Sequence, residues 1–491
     1  MSEQVEIVDT TTRDGNQSLW SATGLTTPDV LAIAPTMDRV GFHALDFTSS
    51  THMAVSVRFH NEDPWERIRL VSEAMPNTPL NFITTGMRFI SWVPAGEDVI
   101  RLSFRLVARN GIRRMQIADP SNDPESLVRL ARMAREEGIG EVVVGLTYSI
   151  SPVHTHDYYV ERAQAVSASP DIYRLYLKDP GGLLTPDAVR ELVPRFIAAF
   201  EPRPVELHSH CTIGLGPLAY VEGLRAGIRV LHTAVPPLAN GTSNPPVFGT
   251  LRNLEAEGLS HRLDLEALQA VADHFAGLAR ERGLPEGAAA DYDAAYYRHQ
   301  MPGGMVTTTK RMLEEQRRPE LFDATLEEVT RVRAEMGYPI MVTPVSQFVA
   351  TQAVMNVISG DRWSSPSDEM VRYFLGHFYE PAAPLDPEIR DKVLSLPRAE
   401  ELRHLEPISL EGSRERFGAE ISEEELLLRL TMPEGQVDAM IAARGKGGPR
   451  PQPGPQVDPV VRLLRELAKR ESVSYVRVEK DDDLVVWRRA A

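Results

Sequence analysis

The sequence predicts an α/β chain: a (β/α)8 TIM barrel, then a mainly helical region, then a small α+β tail. Short apolar segments at residues 5–9, 44–48, 80–84, 115–119, 142–149, 172–178, 205–210 and 230–235 read as strands. Amphipathic stretches of helical period, such as 123–137 and 186–200, alternate with them. Eight alternating units are the number that closes a parallel barrel. A doubly wound open sheet is the rival, but no Rossmann-type glycine fingerprint follows the first strand. The barrel is favoured.

Beyond residue 246 the pattern turns helical, with candidates at 264–282, 325–336, 345–359, 369–378, 387–395 and 423–430. Ser422 ahead of a Glu-rich first turn is a capping signal for the last of these. Residues 444–459, RGKGGPRPQPGPQVDP, are too rich in Gly and Pro to bury a core and read as a linker. After it come one helix, 460–470, and two alternating segments, 473–479 and 484–489, which predict a hairpin. The expected divisions are a barrel at 1–290, a helical region at 291–443 that completes an active-site funnel, a linker at 444–458, and a helix–hairpin docking module at 459–491.

Composition narrows the function classes. With 53 Lys and Arg against 69 Asp and Glu, the formal charge of −16 opposes nonspecific attraction to nucleic acid or anionic lipid. A single cysteine excludes an internal disulfide framework and any multi-cysteine metal cluster. No apolar run approaches the roughly 20 residues of a membrane span, and the N-terminus does not read as a signal peptide. The reducing cytoplasm is the expected compartment.

In a barrel of this kind, chemistry gathers where strands finish. Arg13 and Asp14 follow the first strand, Lys178 ends the sixth, and His208 and His210 end the seventh. Residues two apart on a strand share a face, so the histidines point together. Two imidazoles and a carboxylate suit a divalent metal. A hydrogen-bonded core pair is the plain alternative for an HxH pair alone. Lys178 has two readings: a lysine paired with Asp179, or an amine that captures CO2 as a carbamate and becomes an anionic ligand. Cys211 falls on the face opposite His210 and reads as a buried, inert thiol. His154 and His156 read as loop residues.

Eight stretches, in order, carry a resemblance: DTTTRDGNQSLW from Asp9, VRFHNEDPWERIR from Val57, YSISPVHT from Tyr148, LKDPGGLLTP from Leu177, LHSHCTIGL from Leu207, PLANGTSNPP from Pro237, HQMPGGM from His299 and VTPVSQFVATQAVMNVISG from Val342. The chain resembles the biotin-dependent carboxyltransferases, a family that includes pyruvate carboxylase, the oxaloacetate decarboxylase α subunit and the keto-acid subunit of transcarboxylase. The resemblance implies a divalent metal (zinc, manganese or cobalt) held by Asp14, carbamylated Lys178, His208 and His210. It implies that Arg13 steadies the acceptor's enolate oxygen, that Gln17 lines the substrate pocket, and that Thr307 passes a proton between biotin and acceptor. A run of ordinary helix-opening threonines is the alternative for Thr307 to Thr309.

The chain departs from the family where the acceptor binds. An arginine–glycine pair after the third strand becomes Thr85–Gly86, and an arginine on the fourth becomes Gln116. Residues 49–54 read SSTHMA where the family has a glycine-rich run ending in aspartate, and Thr23 replaces another arginine. Losing bidentate guanidinium contacts removes a main means of fixing a carboxylate. Arg88 or Arg114 could supply one from a shifted position, or the acceptor could lack a carboxylate there. No Ala-Met-Lys-Met biotinylation motif and no ATP-grasp segment occur, so biotin is expected on a separate carrier protein, charged by a separate biotin carboxylase subunit. A small-molecule acceptor and a homodimeric core complete the expected partners. The decarboxylase direction, a biotin-independent lyase or synthase such as hydroxymethylglutaryl-CoA lyase, and a non-catalytic scaffold subunit are the alternative functions.

Overall fold

The computed structural model describes residues 4–91, 93–444, 475–480 and 483–488. Eight parallel strands close into a barrel in chain order: β1 (Glu6–Asp9), β2 (Ala44–Ser49), β3 (Leu80–Thr84), β4 (Arg114–Ile117), β5 (Glu141–Thr147), β6 (Arg174–Asp179), β7 (Val205–Ser209) and β8 (Val230–Thr233). Closure comes from β1 pairing with β8, Glu6 opposite Val230 through Asp9 opposite Thr233. Because the strands are buried on both faces, they read as near-continuous apolar runs. That is why they stand out in the sequence.

The outer helices begin where the sequence supplies caps. Asp123 accepts from the backbone N–H groups of Glu125 and Ser126 to open Pro124–Glu136, and Thr185 does the same from Ala188 for Pro186–Phe200. In each, proline occupies the first turn, where its missing N–H costs nothing.

The lumen is layered. Near the N-terminal ends of the strands lies an ionic layer: Arg114 is fully buried and bonds Glu206, with Glu141 at 3.3 Å and His43 at 3.1 Å. Arg174 bonds Glu6 at 2.7 Å beside it. Above this layer pack Ile83, Ala118, Val143 and Tyr176. Arg114 is therefore a structural ion at the floor and not a guanidinium offered to an acceptor, which corrects the expectation that it could serve from a shifted position. An unpaired arginine could not be buried so deep.

A second apolar core forms among residues 301–402, around Trp363, Met370, Val349 and Val332. The helices Glu423–Thr431 and Glu434–Arg444 return to the barrel's own core through Leu427, Leu428, Val437 and Met440. Strands β9 (Tyr475–Lys480) and β10 (Asp483–Arg488) pair antiparallel, as the hairpin pattern predicts. The expected helix at 460–470 lies outside the described residues, as does the linker apart from Arg444. Among the described residues, no helix is long and apolar enough to cross a membrane.

Candidate active site

After β1 the chain winds into a single wide π-helical turn, Thr11–Gly15, which turns Arg13 and Asp14 into the barrel mouth. Asp9 anchors this turn by accepting from the Thr11 hydroxyl at 2.6 Å and the Thr11 N–H at 3.3 Å. An added Cβ at Gly15 would sit 2.8 Å from the Leu238 carbonyl oxygen, so only glycine lets the turn close against the loop after β8.

Three side chains then converge. Asp14 Oδ2 lies 3.2 Å from His208 Nε2 and 3.2 Å from His210 Nε2, and the two nitrogens are 3.1 Å apart. All three residues are buried. Bonds of about 2.1 Å from one ion would give donor–donor edges of about 3.0 Å in octahedral and about 3.4 Å in tetrahedral coordination. The observed triangle falls between these, so the donor set fits a divalent metal. Burial pushes the Asp14 carboxyl up, but Arg13 and the imidazoles outweigh it and hold it well below the usual range.

Lys178 stands directly across the sheet from His208. Strand alternation puts it on the lumen face with Tyr176, and it is partly open to solvent. Burial, helped by the Arg13 charge, brings its amine down to about 8. A lowered amine pKa raises the share of the neutral form, although ammonium still predominates at pH 7.

Arg13 is clamped. Its Nε donates to Asp46 on β2 at 2.8 Å, and its Nη2 lies 3.2 Å from Asp14. Asp46 in turn accepts from Asn81 on β3 at 3.1 Å. Asp46 and Asn81 escape sequence reasoning because each reads as a lone polar residue in an apolar strand. Glu206 and His232 escape it because sequence period does not show which residues of different strands meet inside the barrel: His232 lies 3.1 Å from His208 and 2.8 Å from Glu206. The available signal was the Glu-x-His spacing, which puts Glu206 on the face of His208.

The other expected residues take distinct places. Gln17 is exposed on the short helix Asn16–Trp20. Gln116, on the lumen face of β4, is buried, and its Nε2 is a donor without a protein partner among the described residues. Thr85 follows β3 and is half-buried. Its neighbour Gly86 has φ +102°, and an added Cβ there would meet Asp119 Oδ2 at 2.7 Å, so this glycine keeps room for an acid. Arg88 turns toward the helical region: its guanidinium stacks 4.7 Å from the Phe378 ring centroid, reaches the His377 carbonyl at 3.4 Å, and feels the charge of Asp119.

Thr307 is exposed on the helix Gly303–Glu315. The segment leading into that helix is fastened to the mouth, since Gln300 accepts from Ser149 at 3.0 Å and donates to Ile150 at 2.7 Å, just past β5. Arg333 also donates to Ser149, at 2.8 Å. Cys211 is buried, and burial pushes its thiol up to about 12. His154 pairs with Ser151, and His156 opens the helix His156–Ser167.

Comparison with known proteins agrees with this geometry. Residues 4–274 match the HMGL-like family and residues 296–470 match a conserved carboxylase domain. The chain is 37% identical over 391 residues to a pyruvate carboxylase subunit of Methanocaldococcus jannaschii, covering 79% of this chain and 68% of that one. It is 29% identical over 462 residues to the 2-oxoglutarate carboxylase large subunit of Hydrogenobacter thermophilus, covering 92% and 70%. In fold it is similar to the carboxyl transferase domain of Rhizobium etli pyruvate carboxylase, with a TM-score of 0.81 at 23% identity over 91% of this chain and 78% of that one. The HMGL-like match stops with the barrel, whereas the carboxylase match and the relatives extend through the helical region. The chain thus belongs to the biotin-dependent carboxyltransferase family and is a carboxyltransferase subunit.

Proposed function

We propose that this subunit moves a carboxyl group between carboxybiotin, presented by a separate carrier protein, and an enolisable small-molecule acceptor. The observation that carries the reading is the Asp14–His208–His210 triangle with Arg13 beside it. Those three residues and a carbamate on Lys178 would hold a divalent metal (zinc, manganese or cobalt), which when bound supplies a Lewis acid for developing enolate charge. Carbamate formation joins the Lys178 nitrogen to the carbon of CO2 and releases a proton.

Arg13 adds a fixed positive charge at the same place, and its clamp means little reorganisation as the reaction proceeds. Thr307, in this reading, carries a proton between biotin and the acceptor carbon without placing another charge in the mouth. Gln17, Thr85, Arg88 and Gln116 are proposed to meet the acceptor. Since uncharged Thr85 and Gln116 stand where the family keeps guanidinium groups, an acceptor without a carboxylate at that spot fits best. Gln116 Nε2, which has no protein partner among the described residues, supports this, because it offers a neutral donor suited to a carbonyl oxygen.

The relatives' names as carboxylase subunits support a separate biotin carboxylase and carrier as partners. The proposed assembly has a homodimeric core, a funnel completed by residues 291–443, and a docking module at 459–491. The test is a panel of acceptors given with a carboxybiotinylated carrier. Turnover of a ketone or thioester above pyruvate is expected, and pyruvate turnover as fast as any other acceptor would refute the acceptor assignment.

A further inference from the structure

A chain of buried polar side chains runs under the site, from the barrel floor to His208. Arg114 donates to Glu206 Oε1, and Arg174 stands 3.6 Å from the same oxygen. The other carboxylate oxygen, Oε2, lies 2.8 Å from His232 Nε2. His232 Nδ1 then lies 3.1 Å from His208 Nδ1. Glu206 and His232 are fully buried and His208 is 1% exposed. The Tyr176 ring stacks on His232 at 5.5 Å and 17°, which fixes the imidazole plane.

The donors and acceptors leave little freedom. An ionised carboxylate only accepts, so His232 Nε2 must carry a proton. Neutral His232 then has a bare Nδ1, which must accept from His208 Nδ1–H. That leaves His208 Nε2 bare and aimed at Asp14 and His210. The opposite order, with the shared proton on His232 Nδ1, would put a proton on His208 Nε2, so the two orders differ in which nitrogen of His208 is bare.

We propose that Glu206 and His232 are positioning residues that fix the tautomer of His208, so that its Nε2 lone pair faces the Asp14–His210 pair. Such outer partners set ring orientation and basicity of a ligating imidazole. The inference rests on the metal reading of the triangle. It adds that the ion layer at the barrel floor and the chemistry at the mouth are one hydrogen-bonded unit.

Glu206→Gln is the discriminating change. An amide can accept from Arg114 or from His232 but not from both. With the oxygen kept by Arg114, its NH2 would face His232 and drive protons up the chain onto His208 Nε2. Glu141→Gln is the control, since Glu141 touches Arg114 without touching His232.

The experiment titrates the full-length chain with cobalt(II), following its visible absorption, alongside long-range 1H–15N spectra of metal-free, 15N-histidine-labelled protein. Expected are cobalt binding about ten- to hundredfold weaker in Glu206→Gln, unchanged binding in Glu141→Gln, and the Nδ1–H tautomer at His208 of the unsubstituted chain. Undiminished binding in Glu206→Gln, or the Nε2–H tautomer, would overturn the inference. Should Glu206→Gln fail to fold, the tautomer decides. Should the unsubstituted chain bind no cobalt, the metal reading falls while the tautomer still decides the positioning.

Discussion

Arg13 and Asp46 face each other across the gap between β1 and β2, joined by a 2.8 Å bond from Nε, with both side chains buried. The pair aims the Arg13 guanidinium, which also touches Asp14. Replacing Asp46 with Ala frees Arg13 from this clamp. The turnover number should fall about ten- to hundredfold, the loss scale of removing one transition-state donor being larger, while KM for the acceptor changes little. A change in KM alone would show that Arg13 binds the acceptor rather than its transition state.

Lys178→Ala removes the amine and its carbamate. Bound metal per chain should drop and activity should fall at least about a hundredfold, in line with losing a member of the ligand set. Because the substitution leaves a gap shaped for a small carboxylate, millimolar acetate or propionate should restore part of the activity. Metal content equal to the unsubstituted chain, measured by elemental analysis, would argue that Lys178 is not a ligand.

Burial raises the Asp9 carboxyl to about 7. A carboxyl with a folded-state pKa above its unfolded value favours folding only while protonated, and that advantage fades as pH rises from about 4 through 7. Asn at this position cannot ionise. Relative to Asp9→Asn, the unsubstituted chain should therefore lose denaturant resistance as pH rises from about 4 to about 7. A difference constant with pH would mean that Asp9 stays charged when buried.

Cys211 should resist alkylation. With its thiol pushed up to about 12 by burial, thiolate is scarce at a mildly alkaline pH. The native chain should take up no iodoacetamide in an hour, and the unfolded chain one equivalent by intact mass. Rapid native labelling would place the thiol on an accessible surface.

The barrel was legible because strands buried on both faces are continuous apolar runs, and each expected strand overlaps an observed one. The cluster of Asp14, His208 and His210 was legible for another reason: strand ends announce themselves where polar residues interrupt such a run. Sequence period, however, tells only which face a residue shares. It does not tell which levels of different strands meet across a closed barrel. Asp46, Glu206 and His232 were hidden on that account, and Arg114, two residues below Gln116 on one face, could not be assigned to the floor. Thr307 carried a motif but no periodic signal for the helix Gly303–Glu315 that presents it.

The most direct test of the central claim follows a labelled carboxyl group. The metal-loaded subunit is mixed with carrier protein bearing 14C-carboxybiotin and an enolisable acceptor, and label in the acceptor is counted. Acceptor-dependent transfer, abolished by avidin and by Asp14→Ala or His210→Ala, is the expected result. Label that stays on the carrier for every acceptor, or carbon–carbon cleavage that avidin does not touch, would contradict it.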